Sequence, residues 1–218
     1  MVAPFTAAGY RVYWINRRPG LAAGTTMADV AADHAKAARE AFGVPVPVLG
    51  HGTGGLVGLQ LALDHPDTVD RLVVAGAAHA LGPVGRRFRQ DLREYAARGR
   101  SAMHRAAPVL TGNRLAQALL TGPLWLSGRL NPPPADHADM DAMLLAEERF
   151  DIRDRLGEIT VPTLIAWGEQ DRLATPEMFH ATARGIPAAR EARYPRAGHS
   201  LVTTTAFVRD ALDFLRDG

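Results

Sequence analysis

The stretch VLGHGTGGLVG, from Val48 to Gly58, decides the fold of this 218-residue chain. Its apolar start predicts a short strand, its clustered glycines predict a tight turn, and its leucine spacing predicts a helix that follows at once. The residue at the centre of the turn is Gly52. Loops at the strand ends of a parallel sheet line its ligand crevice, so the first question is what chemistry this turn supports without a side chain at its centre.

The same pattern extends outward along the chain, where short apolar runs alternate with helical periodicity. This alternation predicts an α/β fold with a doubly wound, mainly parallel sheet covered by helices on both faces. Helix starts are indicated by the capping-box sequence TMAD at Thr26–Asp29 and by Thr175 followed by Pro176. Five strands are predicted, near Arg11–Ile15, Val46–Leu49, Arg71–Ala75, Thr163–Trp167 and Arg190–Tyr194.

A single domain over residues 1–218 is expected, because a chain of this length with 47% apolar residues can bury one substantial core. Residues 82–148 interrupt the alternation with basic helical segments, the apolar run LLTGPLWL at Leu119–Leu126 and three prolines from Pro132. We interpret them as a helical lid, inserted over a pocket at the strand ends. A helical subdomain with its own small core is the alternative.

Composition excludes several kinds of site and partner. The chain has no cysteine, so disulfides, thiolate metal sites and cysteine nucleophiles are excluded. It shows no leader peptide at Met1–Tyr10 and no run of 18 apolar residues, which favours a cytoplasmic protein with no membrane partner. The basic run RRFR at Arg86–Arg89 is followed by acidic residues and has few aromatic neighbours. We therefore interpret it as a solvated helix face and expect no nucleic-acid partner.

Three segments follow predicted strands in a fixed order. They are GHGTGG at Gly50–Gly55, WGEQD at Trp167–Asp171 and AGHS at Ala197–Ser200. In this order of turn, acid and histidine, the chain resembles the α/β-hydrolase-fold superfamily from Ala3 to its end. The segment FDIRDRLGEITVPTL at Phe150–Leu164 is also similar to the family's return from lid to sheet. The resemblance implies the α/β-hydrolase type of sheet, with the family's first strands missing.

Asp171 and His199 match the family's acid and histidine. A carboxylate that accepts a hydrogen bond from one imidazole nitrogen leaves the other nitrogen basic and aimed. We therefore expect Asp171 and His199 to lie within hydrogen-bonding reach, as a general-base dyad that acts on water or on a substrate proton. A turn-forming role for Asp171 and a surface-loop role for His199 are the alternatives.

The resemblance makes GHGTGG, Gly50–Gly55, the nucleophile elbow, the tight turn between strand and helix that carries the family's nucleophile. Gly52 takes the position of that nucleophile. The strained backbone there costs a residue with a side chain on the order of 1 to 3 kcal/mol, which glycine avoids because it has no Cβ. Gly50, His51 and Gly54 belong to the turn, and His51 is given a structural role. Gly54 and Gly55 are expected to keep the strand and the helix in close contact. Thr53 has the nearest hydroxyl, but the resemblance assigns it a backbone oxyanion-type donor rather than the attack.

Neither a cofactor nor a metal is expected. The segment HADMD at His137–Asp141 has donor types that a metal could use, but no third anchored ligand accompanies it. We interpret it as a solvated part of the lid. The leucine, tryptophan and methionine content of the lid argues for a small, mostly apolar ligand.

The chain departs from the family before its elbow. The family's first three strands and one oxyanion donor have no counterpart. In the family's topology, a strand lies between the counterparts of Arg11–Ile15 and Val46–Leu49. We expect either that these two segments pair directly or that a second chain covers the exposed sheet edge, which would make the protein a homo-oligomer.

Three functions fit these residues. The first is an enzyme of α/β-hydrolase descent, resembling small-molecule ester and acyl hydrolases, that works without an acyl-enzyme through His199 and Asp171. The second is a non-catalytic ligand-binding or interaction protein, similar to the N-myc downstream-regulated family, which has glycine in the corresponding turn. The third is a serine hydrolase with an engineered substitution at Gly52. The retained acid and histidine favour the first and the third.

Overall fold

Four parallel strands form one sheet in the computed structural model, which describes residues 2–134 and 136–217. Met1, Ala135 and Gly218, which the predicted domain included, lie outside the described residues. Each strand pairs in parallel with the next one along the chain, and helices lie on both faces of the sheet, which confirms the predicted parallel α/β architecture. The strands are β1 (Val46–His51), β2 (Val69–Ala75), β3 (Thr163–Gly168) and β4 (Ala189–Tyr194).

Helices cover the sheet and fill the connections between its strands. The predicted capping box begins the second helix: the Thr26 N–H donates to the Asp29 carboxylate at 2.8 Å, and the Asp29 N–H donates to the Thr26 hydroxyl at 3.2 Å. The helices are α1 (Ala3–Ala7), α2 (Met27–Phe42), α3 (Thr53–Asp64), α4 (Pro83–Ala96), α5 (Ala107–Leu110), α6 (Arg114–Leu130), α7 (Ala138–Arg149), α8 (Pro176–Gly185) and α9 (Thr205–Arg216).

The central strands are buried on both faces, because successive side chains of a strand point to opposite sides. Val74 and Ile165 face a core that includes residues of α2, α3 and α8. Val73 and Leu164 face a second core that includes residues of α1 and α9. The near-continuous apolar runs of β2 and β3 follow from this double burial.

The segment Arg11–Ile15, predicted as the first strand, is not a strand. Its apolar side chains are exposed, Trp14 by 75%. Tyr13 packs edge-on against Phe42 at the end of α2, with ring centroids 5.1 Å apart. An extended segment becomes a strand only where another strand offers its N–H and C=O groups. The expected pairing with Val46–Leu49 is therefore wrong, and coverage of the outer edge of β1 by a second chain stays a prediction.

The helices α4 to α7 lie between β2 and β3, within the stretch predicted as an insertion at residues 82–148. Ion pairs join the first of these helices to the last: Arg93 of α4 lies 2.6 Å from Asp141 and 3.7 Å from Glu148 of α7. Across residues 2–134 and 136–217, none of the helices combines the length and apolar character needed to cross a membrane.

A buried histidine ties the loop after β2 to α8. The Thr182 hydroxyl donates to the carbonyl of Met178 at 2.8 Å, so it accepts from Nδ1–H of His79 at 3.0 Å. Nε2 of His79 accepts from Arg153 at 3.2 Å. His79 is 1% exposed, and burial together with the Arg153 charge lowers its pKa below the usual range. The folded protein therefore holds His79 neutral.

We expect this histidine to make the fold sensitive to acid. Because the pKa of His79 is lowered in the folded state, the unfolded chain binds the proton more readily below about pH 6.5. This site should then lower the free energy of unfolding by up to about 1.4 kcal/mol per pH unit as the pH falls. Urea unfolding of the wild type and of His79→Gln at about pH 7 and about pH 5 measures the difference. An equal pH dependence of the free energy of unfolding in both proteins would contradict the assignment of a neutral, buried His79.

Candidate active site

The carboxyl ends of the four strands bring the predicted site residues together, as expected for a parallel sheet. Gly52 follows β1, Gly76 follows β2, and the loops after β3 and β4 carry Asp171 and His199. Nδ1 of His199 lies 2.9 Å from Oδ2 of Asp171. The predicted hydrogen bond between these two residues is therefore confirmed, while their catalytic role stays a prediction.

The dyad is held in one orientation. Asp171 is 2% exposed, and its Oδ1 accepts the N–H of Leu173 at 2.9 Å, which fixes the carboxylate. With Nδ1–H donated to Oδ2, the free nitrogen of His199 is Nε2. A Cβ built on Gly52 would lie 3.0 Å from that nitrogen. The imidazole thus points to the centre of the elbow, where a general base would meet its proton donor.

The elbow has a backbone that suits glycine. Gly52 has φ +54° and ψ −118°, and it precedes the first residue of α3. Gly54 and Gly55 were expected to keep strand and helix close. This expectation is wrong for Gly54, where a Cβ would meet nothing within 4 Å, and is confirmed for Gly55. The close approaches are at Gly50, whose Cβ would lie 2.6 Å from the carbonyl carbon of Gly54, and at Gly55, whose Cβ would lie 2.6 Å from that of Ala77.

His51 supports the dyad rather than facing a ligand. Its Nε2–H donates to the backbone carbonyl of His199 at 2.8 Å, and the two rings stack with centroids 4.5 Å apart. Burial and the neighbouring His199 lower the pKa of His51 below its usual range. A neutral His51 is the form that stacks on a second imidazole without charge repulsion.

Thr53 links the elbow to the helices of the insertion. Its hydroxyl donates to Oε1 of Glu147 on α7 at 2.8 Å, so this hydroxyl is engaged and not free to attack a substrate. Oε2 of Glu147 accepts from Nε of Arg89 on α4 at 2.5 Å. Both charged side chains are buried, Arg89 being 8% and Glu147 2% exposed. One polar network therefore joins α3, α4 and α7 at the strand ends.

Sequence reasoning missed this network. The interpretation of the basic run as a solvated helix face is wrong for Arg89, whose side chain lies inside. A signal existed: Arg89 lies four residues after Gly85 and seven before Ala96, and Glu147 lies four after Met143. Each charged residue thus falls on the helical spacing of its helix's buried face. Two opposite charges on such faces indicate a buried pair.

A small cavity lies beside the elbow and is lined in part by Gly52, with a volume of about 10 Å³, room for about one water molecule. Its lining is mostly apolar and includes Leu56, Leu81 and Leu173. Arg89 contributes the charged side chain of that lining. A substrate larger than a water molecule therefore enters only if α4 or its neighbours shift.

The acidic residues of the HADMD segment are engaged within the chain. Asp139 accepts hydrogen bonds from Arg17 and from the backbone N–H groups of Gly20 and Leu21, at 2.9, 2.9 and 2.6 Å. Asp141 pairs with Arg93. Both carboxylates stay in contact with solvent, Asp139 being 32% and Asp141 37% exposed, and they also anchor α7 to the N-terminal loop and to α4.

Known proteins resemble this chain in sequence and in fold. The family described as alpha/beta hydrolase fold matches residues 4–204. A protein of Azorhizobium caulinodans named as a carbamate hydrolase, RutD, is 33% identical over 202 residues, which cover 87% of this chain and 73% of that protein. The 2-hydroxy-6-oxo-6-phenylhexa-2,4-dienoate hydrolase of Burkholderia cepacia is 26% identical over 233 residues, which cover 100% of this chain and 81% of that protein.

A solved structure shows the same fold. The crystal structure of MGS-M2, an α/β-hydrolase enzyme from a Medee basin deep-sea metagenome library, matches this chain with a TM-score of 0.79 at 20% sequence identity. The match covers 91% of this chain and 74% of that one. At this identity the likeness concerns the fold alone.

Proposed function

The chain belongs to the α/β-hydrolase fold family, and from that premise we propose that it is an enzyme acting on a small molecule without forming an acyl-enzyme. In this proposal His199, oriented by Asp171, is a general base that removes a proton from water or from the substrate. The observation that supports it most is the partly buried hydrogen bond of 2.9 Å from Nδ1 of His199 to Asp171, with Nε2 directed at the elbow.

The mechanism needs only the groups that the strand ends hold. Asp171 keeps Nδ1 of His199 protonated and stabilises the imidazolium that forms when Nε2 takes a proton. The backbone N–H of Thr53, at the start of α3, supplies a donor for negative charge that develops on a substrate oxygen. Positioned general-base catalysis contributes on the order of a hundredfold to ten-thousandfold in rate.

We propose that α4 and α7 act as the inner face of a lid, within an insertion at residues 82–148. Two contacts support this role: Glu147 binds Thr53 of the elbow, and Arg89 lines the cavity beside Gly52. The apolar remainder of the cavity suits a small, mostly apolar substrate. Relatives named as hydrolases of a carbamate and of a dienoate support hydrolysis of a small organic molecule as the reaction class.

A non-catalytic binding protein is the second candidate. The cavity volume of about 10 Å³ favours it, because a resting enzyme usually offers its substrate more room. This candidate keeps Asp171 and His199 as part of the packing between the loops after β3 and β4. This candidate predicts that the protein turns over no substrate and that substitutions of Asp171 or His199 change only its stability or its binding.

The two candidates differ in the effect of His199→Gln, which keeps a polar side chain but removes the base. We expect wild-type protein to hydrolyse at least one member of a panel of short esters, carbamates and vinylogous diketones, and His199→Gln to lower that turnover by about a hundredfold or more. His180→Gln is the matched control, since His180 pairs with Glu191 on the surface. Turnover that survives in His199→Gln, or none across the panel, would contradict the enzyme proposal.

A further inference from the structure

We propose that Arg89 binds an anionic carboxylate of the substrate, so that this cleft selects small molecules that carry a carboxylate near the reacting group. The inference rests on the proposed function, because it uses the cleft beside Gly52 as the substrate site. It adds a substrate class and a specificity-determining residue to that site.

The guanidinium of Arg89 has more hydrogen-bond donors than it uses within the described part of the chain. A guanidinium carries five N–H donors, and buried donors need acceptors. In the described part of the chain, the side chain of Arg89 donates one hydrogen bond, from Nε to Glu147. The terminal nitrogens therefore keep donors for another partner, although only 10% of the side chain is exposed.

Arg89 lies beside the same cavity as the elbow. Arg89 lines the cavity that Gly52 and Gly76 also line, and Gly52 is the residue toward which Nε2 of His199 points. The same cleft receives the N-terminus of α3, whose dipole favours negative charge. An anion held by Arg89 in this cavity would therefore lie beside Gly52.

The chemistry of these donors identifies the ligand group. A guanidinium is planar and matches the two oxygens of a carboxylate in a paired arrangement. Glu147 already holds Nε of Arg89 and is itself held by the Thr53 hydroxyl, so the guanidinium plane is fixed before a ligand arrives. The lining by Leu56, Leu81 and Leu173 suits a short alkyl chain on that carboxylate. A short aliphatic carboxylate matches the chemistry of both parts of the cleft, and it enters when α4 or its neighbours shift to enlarge the cavity of about 10 Å³.

The test uses butyrate and butyramide, which have nearly the same shape and differ in charge, with binding measured by ligand-observed NMR or calorimetry on the whole chain. We expect wild-type protein to bind butyrate about tenfold or more tighter than butyramide, because hydrogen bonds to charged groups are the stronger kind. Arg89→Gln should remove the preference. Arg93→Gln should keep it, since Arg93 also joins α4 to α7 but does not line the cavity.

Glu147→Gln gives a second measurement that does not remove Arg89. It frees the guanidinium from its buried counter-charge, so butyrate should bind several times tighter than to the wild type while butyramide is unchanged. A wild type without charge preference, or a preference that persists in Arg89→Gln, would overturn the inference.

The binding assay also separates this inference from the proposed function. Carboxylate preference without turnover leaves the inference intact and removes the enzyme proposal. If His199-dependent turnover of neutral esters is found without any preference for a carboxylate, the enzyme proposal stands and the inference about Arg89 is removed.

Discussion

The Gly52→Ser variant should react with a serine-directed phosphonate and gain one phosphonyl group per chain, whereas the wild-type protein should gain none. A Cβ on residue 52 would lie 3.0 Å from Nε2 of His199, which places a new hydroxyl within reach of a base already oriented by Asp171. Intact-protein mass spectrometry measures the gain. The double variant Gly52→Ser with His199→Gln is the control and should lose the reaction.

Ester hydrolysis by Gly52→Ser should nevertheless stay weak. The serine must adopt φ near +54°, a strain of about 1 to 3 kcal/mol for a residue with a Cβ. Hydrolysis as fast as that of an intact family member would contradict both the strain argument and the proposal of a reaction without an acyl-enzyme.

Gly168→Ala should be among the most destabilising single substitutions in this chain. Gly168 ends β3, where the loop after β4 crosses it so closely that a Cβ would lie 2.5 Å from the carbonyl carbon of Ala197 and 2.8 Å from the carbonyl oxygen of Gly198. Both neighbours are backbone atoms, so relief requires movement of a loop that leads directly to His199. We expect a loss of more than about 3 kcal/mol in the free energy of unfolding.

Gly157→Ala is the matched control for that substitution. Gly157 is exposed, and a Cβ there would meet nothing within 4 Å, so its effect should stay within about 0.5 kcal/mol. Urea unfolding of both variants and of the wild type measures the difference. A Gly168→Ala protein as stable as Gly157→Ala would show that the two loops are less tightly packed than the distances indicate.

The parts of the site that follow strands could be predicted from the sequence. Gly52, Asp171 and His199 each come just after an apolar run, and parallel strands place all their carboxyl ends at one edge of the sheet. Local pattern is sufficient there, because strand direction alone brings the residues together. The capping box at Thr26 is predictable for a similar reason, since its two partners are three residues apart.

The parts that depend on distant partners could not be predicted in the same way. Arg11–Ile15 has the composition of a strand, but a strand also requires a neighbour in hydrogen-bonding register, which composition does not report. The run around Arg89 has the composition of a solvated helix face, but the burial of Arg89 depends on its ion pair with Glu147, which lies in another helix far along the chain. Gly54 and Gly55 both have the sequence position of a packing glycine, but of these two only Gly55 makes a close approach, and Gly50 makes another that was not predicted.

The consecutive order of the four strands has a consequence for how the chain folds. The connections from β1 to β2 and from β3 to β4 span residues 52–68 and 169–188, while the connection from β2 to β3 spans residues 76–162. The long connection is roughly five times the length of the first one, so the entropic cost of closing it is higher by about 1.4 kcal/mol. We therefore expect the two small βαβ units to form at low entropic cost and the β2–β3 pairing that joins them to come last. Asp171 lies in the second unit, His199 follows it and the elbow lies in the first, so we expect the dyad to meet the elbow only at that final step.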